Sequence, residues 1–217
     1  ITGMYSPTEG IIYFKDQNIT GKKPYEITEL GMARTFQNIR LFERMTVLEN
    51  VMLGMHTRTN SNLIDCIINN KKHKNSEKIA EERALEVLNL TGLSKYRYHY
   101  STSLPYGLQR RLEISRALAT NPEILLFDEP AAGMNELETT DLMEFIRMLK
   151  GMDYTILLIE HDMKFVMNLC DRIYVLDHGT LIAKGTPEEI KKNELVIEAY
   201  LGKGGVLINE DAWGKWS

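Results

Sequence analysis

No apolar run in this 217-residue chain approaches the ~18–20 residues that cross a bilayer, and no signal peptide is visible. Any membrane association therefore has to run through partners. Cysteine is nearly absent: Cys66 and Cys170 lie far apart and form no CxxC pair, which fits two free thiols in a reducing cytoplasm. The five histidines show no metal-ligand spacing with them. A basic excess is missing too. Net charge of −4 and a pI near 5.8 supply no overall field for nucleic acid. There is no internal repeat and no low-complexity segment. A phosphate-cradling G-x-x-x-x-G-K-[ST] loop occurs nowhere. What remains is an ordinary globular composition, 43% hydrophobic and 26% charged, long enough for one sizeable core with a subdomain.

The most informative stretch is Ile124 to Pro130, ILLFDEP. Four uncharged apolar residues predict a buried, parallel strand. The strand ends in Asp128 and Glu129, and Pro130 stops it from continuing. Carboxylates delivered to the C-terminal edge of a buried strand suit phosphate chemistry, the first as a magnesium ligand and the second to polarise an attacking water. On its own, the same pattern also fits a strand end whose acids cap the next turn.

Periodicity places the other elements. Gly10 to Asp16 and Gly31 to Gln37 read as strands. Thr46 to Met55 reads as a helix with Thr46 as N-cap and Glu49 completing a capping box. A polar stretch from Thr57 to Ser76 carries Lys71, Lys72, His73 and Lys74, a solvated face. Glu77 to Leu90 is an amphipathic helix with Ile79, Leu85 and Leu88 expected on the apolar face. Leu137 to Lys150 is a helix with Leu142, Phe145, Ile146 and Leu149 inward. Thr155 to Glu160 is expected as a buried strand, Met163 to Cys170 as a helix, and Ile173 to Asp177 as a strand. Asp177-His178-Gly179 turns that strand into Thr180 to Lys184. Thr186 then caps a helix that opens on Pro187. His56, His73, His99 and His178 have no functional context and read as solvent or turn residues. The tail Gly204 to Ser217 breaks the pattern and holds Trp213 and Trp216.

The order of short motifs carries more than any one of them. Ala33 to Gln37 (ARTFQ) comes first, then Leu104 to Leu118 (LPYGLQRRLEISRAL), the ILLFDEP strand, Ala131 to Asn135 (AAGMN), and Ile156 to Asp162 (ILLIEHD). This series resembles the nucleotide-binding subunit of an ABC transporter over about Ile1 to Gly202: Q-loop, signature, Walker B, D-loop and switch histidine. More narrowly, Arg34 to Phe42, Met45 to Val51 and Asp128 to Asn135 resemble the ATPase subunits of branched-chain amino-acid importers.

The resemblance implies an α/β fold: an ABC-type P-loop NTPase core with a mixed sheet and an inserted helical subdomain, its N-terminal part missing. The expected divisions are 1–38 partial core, 39–119 helical subdomain with the signature, 120–203 remainder of the core, and 204–217 tail. Ile1 to Gly10 resembles the segment after the P-loop helix, so the chain reads as a fragment beginning past its phosphate loop. The adenine-stacking aromatic would also lie upstream. As it stands the chain is then expected to bind ATP poorly, and the activity belongs to the parent protein.

The resemblance also assigns roles. Asp128 and Gln37 would hold Mg2+ with ATP, and Glu129 would be the general base or orient the water. Gln37 would be the coupling glutamine whose amide touches magnesium or the attacking water, and His161 would sense the γ-phosphate. Leu104, Pro105, Tyr106, Gly107 and Leu108 occupy the place of Leu-Ser-Gly-Gly-Gln and would face a partner subunit's nucleotide. Backbone N–H groups at that helix start suit an anion. Pro105 and Leu108 remove the usual hydroxyl and amide, which puts the side-chain part of that contact in doubt. Asn135 stands where the D-loop usually carries Asp and would hydrogen-bond across a dimer interface.

Partners implied are a second ATPase subunit (the same chain or another), membrane permease subunits and, indirectly, a periplasmic or extracellular substrate-binding protein. The site would be peripheral, at the cytoplasmic face of the cell membrane. Permease docking is expected at Asn38, Ile39, Arg40, Leu41 and Phe42, continuing to Thr46. Leu41 and Phe42 form an apolar centre with Arg40, Glu43 and Arg44 as a charged rim; the competing reading has them fill the subdomain core. The rival to transport is a non-transport ABC ATPase acting on nucleic acid or ribosomes, for which basic patches, coiled-coil insertions and tandem halves are missing. Nothing in the sequence selects the transported amino acid.

Overall fold

The computed structural model describes residues 1–55 and 71–201. They form two compact units, Ile1–Ile159 and the segment from Glu160 onward. Cys66, His56, most of the polar stretch after Thr57 and the tail Gly204 to Ser217 lie outside the described residues.

The first unit opens on a hairpin of β1 (Tyr13–Phe14) and β2 (Gln17–Asn18). These strands are far shorter than the expected Gly10–Asp16 strand. Lys15 and Asp16 take φ of 48° and 62°, so the chain reverses in a tight two-residue turn where the alternation suggested it would run on. Helix α1 (Pro24–Glu29) follows, then β3 (Met32–Arg34), which stops three residues before Gln37. Strands β4 (Ile124–Asp128) and β5 (Thr155–Ile159) complete a parallel sheet of order β3-β4-β5. Its register pairs Met32 with Ile124 and Ile124 with Thr155.

Central β4 buries Leu125, Leu126 and Phe127, as its apolar run requires. β5 corrects the expectation of a buried strand. It lies at the edge of this sheet among the described residues, and Leu157 and Ile159 are exposed. Ile19, Ile27, Met32 and Leu126 pack together beneath the hairpin and α1.

Between β3 and β4 the described chain is helical: α2 (Val47–Gly54), α3 (Lys71–Leu90) and α4 (Tyr106–Ala119), with two short 3-10 turns. The capping box at α2 forms as its residues dictate. Glu49 N–H donates to Thr46 Oγ1 at 3.2 Å, and the Glu49 carboxylate accepts from Thr46 N–H at 2.7 Å. The Thr46 N–H first, and then the Thr46 hydroxyl donating to the same carboxylate at 2.8 Å, hold the Glu49 carboxyl below its ordinary pKa. α2 packs closely on α4 at Gly54, where a Cβ would fall 2.3 Å from the Arg116 carbonyl oxygen.

Helix α3 buries Ala80, Ala84, Val87 and Leu88, whereas Ile79, expected inward, is exposed. The small alanines, not the larger isoleucine, define the contact stripe at helical spacing. After β4, α5 (Glu136–Lys150) buries Leu142, Phe145, Ile146 and Leu149 as expected, together with Met143.

The second unit holds α6 (Met163–Leu169), the antiparallel hairpin β6 (Ile173–Asp177) and β7 (Thr180–Gly185), α7 (Pro187–Lys191) and α8 (Glu194–Leu201). His178 and Gly179 have φ of 46° and 81°, the pair of positive values a two-residue hairpin turn needs. Thr186 caps α7 through Glu189 N–H at 3.3 Å. Val166, Ile173, Ala183, Ile190 and Val196 form its core.

Candidate functional site

The end of β4 gathers the acids and the glutamine. Asp128 closes the strand, and its carboxylate pairs with the guanidinium of Arg34, at the end of neighbouring β3, at 2.6 Å. Arg34 also donates to Thr2 Oγ1 at 2.9 Å, tying the start of the described chain to the strand ends. Glu129 leaves the sheet with φ of 43°, a conformation few non-glycine residues adopt. Its N–H donates to Ile159 O at 2.9 Å, and its C=O accepts from Ala132 N–H at 3.1 Å, so the strained turn is held from both sides.

Gln37 Nε2 donates to Glu129 Oε2 at 2.6 Å across 92 residues of sequence. Two guanidinium groups lie over the ring of Phe36, Arg34 at 5.6 Å and Arg40 at 4.4 Å, which steadies the segment leading into and out of Gln37.

Pro105 starts α4, and the structure gives Tyr106 and Gly107 partners in the D-loop region of the same chain. Tyr106 Oη donates to Ala132 O at 3.0 Å, and Gly107 N–H donates to Glu138 Oε1 at 3.2 Å. Leu104 is buried, and its carbonyl accepts from Gln109 Nε2 at 2.8 Å. Leu108 lines a shallow cavity of about 160 Å³ with Pro105, Gly107, Arg111, Glu138 and Asp141. Asn135 is the N-cap of α5, its side chain accepting from Glu138 N–H at 3.0 Å. Glu138 thus bonds the starts of both helices, the second through Asn135 N–H at 3.2 Å.

His161 lies in the second unit, with its side chain exposed, its Nδ1 3.8 Å from the Glu160 carboxylate, and its carbonyl accepting from Tyr200 Oη at 3.2 Å. His99 and His178 are exposed, the latter in the β6–β7 turn.

Downstream of Gln37, the segment to Thr46 is pinned by Asn50 on α2, a fully buried side chain. Asn50 accepts from Phe42 N–H at 2.9 Å and donates to Phe42 O, Met45 O and Thr46 O at 3.1, 3.3 and 2.9 Å. The backbone is fixed while the Phe42 side chain stays 51% exposed. Asn50 escaped sequence reasoning, although a polar residue between Leu48 and Val51 on an apolar helix face is a visible signal. Arg110 and Glu113, both fully buried on α4, escaped it too. They are charges at i and i+3 interleaved with core residues Leu112 and Ile114.

A family profile described as ABC transporter matches residues 1–132, more than half of the chain, and contains Gln37, the Leu104–Leu108 turn and Asp128–Glu129. The chain belongs to the ABC transporter family. A second profile, branched-chain amino acid ATP-binding cassette transporter, matches residues 180–206. The Escherichia coli protein LivG, a high-affinity branched-chain amino acid transport ATP-binding protein, is 45% identical over 204 residues, covering 94% of this chain and 80% of its own. Its Pseudomonas aeruginosa counterpart BraF is 43% identical over the same shares. Among solved structures, a nucleotide-free ATP-binding cassette from an ABC transporter superposes with TM-score 0.77 at 35% identity, covering 94% of this chain and 81% of the other. The ADP conformation of another such cassette gives 0.76 at 31% identity over the same shares. The α/β core expected of a P-loop NTPase is the fold of this family. Among the described residues, no helix is long and apolar enough to cross a membrane.

Proposed function

We propose that this chain is the ATP-hydrolysing subunit of an importer for branched-chain amino acids, with Glu129 as the general base. The observation that carries the site assignment is the 2.6 Å hydrogen bond from Gln37 Nε2 to Glu129 Oε2 at the C-terminal end of β4. An amide donor at that distance orients the carboxylate. A general base so placed contributes about 10²–10⁴ in rate.

No group of three His, Cys, Asp or Glu among the described residues could hold a metal by itself. This fits Mg2+ that takes one or two protein ligands and completes its shell with phosphate oxygens and water. Asp128, with the Gln37 amide oxygen, would hold it, and bound Mg2+ would neutralise charge between the β- and γ-phosphates. Arg34 keeps the Asp128 carboxylate at the strand end, and the held turn at Glu129 fixes the backbone that carries the neighbouring carboxylate. Residues Leu104 to Leu108 would face the nucleotide of a second ATPase subunit, the Gly107 N–H becoming available to it once it leaves Glu138 Oε1, with Asn135 near that interface. His161 would sense the γ-phosphate.

Residues 39–119 act as a helical subdomain in this reading. The segment Asn38 to Thr46 docks a permease subunit at the cytoplasmic face of the membrane, a role supported by the exposed Phe42 ring on a fixed backbone. A substrate-binding protein takes part indirectly. The rival soluble ABC ATPase gives that ring no task.

The test is Glu129→Gln in the transporter complex. Nucleotide binding is retained, turnover falls by about 10²-fold or more, and ATP-bound dimer accumulates because closure survives without hydrolysis. Unchanged steady-state ATP hydrolysis in that variant removes Glu129 from the role.

A further inference from the structure

Helix α4 carries a buried ion pair that the hydrolytic groups described above do not include. Arg110 is fully buried and spends its guanidinium on the backbone of the segment around Gln37. Nη1 donates to Phe36 O at 2.6 Å and Nη2 to Gln37 O at 2.6 Å. Nη1 also donates to Glu113 Oε2 at 2.8 Å, which keeps the charge paired. The other Glu113 oxygen accepts from Arg40 N–H at 3.2 Å. Two side chains one helical turn apart therefore hold three backbone groups on both sides of Gln37.

Arg110 Nε has no hydrogen-bond partner although it is buried. A guanidinium left with an unsatisfied donor is placed for the carbonyls it reaches, not for complete solvation of its own charge. The planar fork matters: two donors in a fixed geometry meet two successive carbonyl oxygens, which an ammonium on a flexible stem does not reproduce. Arg110 lies one turn past Gly107 on the helix that begins at the Leu104–Leu108 turn. Gln37, whose backbone it grips, reaches Glu129 with its side chain. The contacts run without a break from the start of α4 through Arg110 to the Gln37 backbone, then through the Gln37 amide to Glu129. All of them fall within the first compact unit.

We propose that Arg110, held by Glu113, is a positioning residue for ATP hydrolysis: it sets where the Gln37 amide stands against Glu129 and makes that placement follow the position of α4. This rests on the reading of Gln37 and Glu129 given above. Arg110 is sealed in the interior, so its loss reaches the chemistry through the segment that carries Gln37. A displacement of α4 carries the Gln37 backbone with it, and the water-orienting pair assembles only when the helix is in register.

The experiment is a double-mutant cycle in the intact transporter, measuring kcat and KM for ATP together with the melting temperature of each variant. Arg110→Lys keeps the charge and loses the fork. It lowers kcat by about 10- to 100-fold, the cost of misplacing a catalytic group by an ångström, with KM for ATP within about twofold of wild type. In a Gln37→Ala background the same substitution lowers kcat by less than about twofold further, because the group it positions is gone. Equal fold losses with and without Gln37, or an effect on KM alone, overturn the proposal and leave Glu129 as base untouched. Should Arg110→Lys melt below the assay temperature, Glu113→Gln goes through the same cycle. It frees one side of the clamp and is expected to show a smaller kcat loss that also vanishes without Gln37. A loss that persists there, or no loss at all, overturns it equally. Failure of the Glu129→Gln test is read separately, since that variant leaves Arg110 and its bonds in place.

Discussion

Replacing Phe42 with alanine separates docking from core packing. A fully buried Phe→Ala costs about 3–5 kcal/mol through lost transfer and the cavity left behind. Phe42 is 51% exposed, so roughly half of that burial, about 1.5–2.5 kcal/mol, is at stake. The Arg116 guanidinium lies 5.7 Å from the ring centroid, and its loss adds about 0.5–1 kcal/mol at most. The backbone does not depend on the side chain: Asn50 takes the Phe42 N–H at 2.9 Å, and Asn50 and Ser101 donate to its carbonyl at 3.1 and 3.0 Å. For a chain of this size each kcal/mol moves the melting temperature by about 2–4 °C, so the shift expected is roughly 3–14 °C. Folded variant is then compared with wild type for co-purification with the permease and for uptake of branched-chain amino acids. Docking requires both to fall by an order of magnitude or more while basal ATP hydrolysis by the free subunit is unchanged. A melting temperature lowered by well over about 14 °C with permease association intact refutes the reasoning and returns Phe42 to the core.

Two further outcomes follow from the packing. Gly54→Ala drives a methyl group to 2.3 Å from the Arg116 carbonyl, so α2 and α4 must part and urea unfolding shows a loss of about 1–3 kcal/mol; an unchanged midpoint refutes that contact. Thr46→Ala removes the cap of α2 and costs about 1 kcal/mol at neutral pH. The Glu49 half of that box has a lowered folded pKa, so its stabilisation is present above the ordinary glutamate pKa near about 4.3 and lost as pH falls through the lower folded value. Glu49→Gln and wild type should therefore differ in melting temperature at pH 7 and converge in acid, and a difference that persists well below pH ~3 refutes it.

Local chemistry determined much of this protein in advance. The capping boxes at Thr46 and Thr186, the apolar run that became β4, the inward stripe of α5 and the His178–Gly179 turn involve residues within a few positions of one another, so their order in the chain was enough. The order of the short motifs likewise pointed to the family before any contact was known. Local pattern failed where a neighbour in space decided the outcome. Thr155 to Ile159 has the composition of a buried strand, yet its place at the sheet edge left Leu157 and Ile159 exposed. Ile79 looked like core, yet α3 turned Ala80, Ala84, Val87 and Leu88 inward and left Ile79 exposed. The site itself was legible as residue types but not as geometry. Gln37 and Glu129 are 92 residues apart, Arg34 and Asp128 are 94 apart, and Arg110 grips carbonyls 73 and 74 residues away. Hydrogen bonds of that span exist only once the sheet has set β3 beside β4 and α4 has packed against the segment between them. That is why the amino-acid sequence named the acids and the glutamine, and only the tertiary structure brought them to one place.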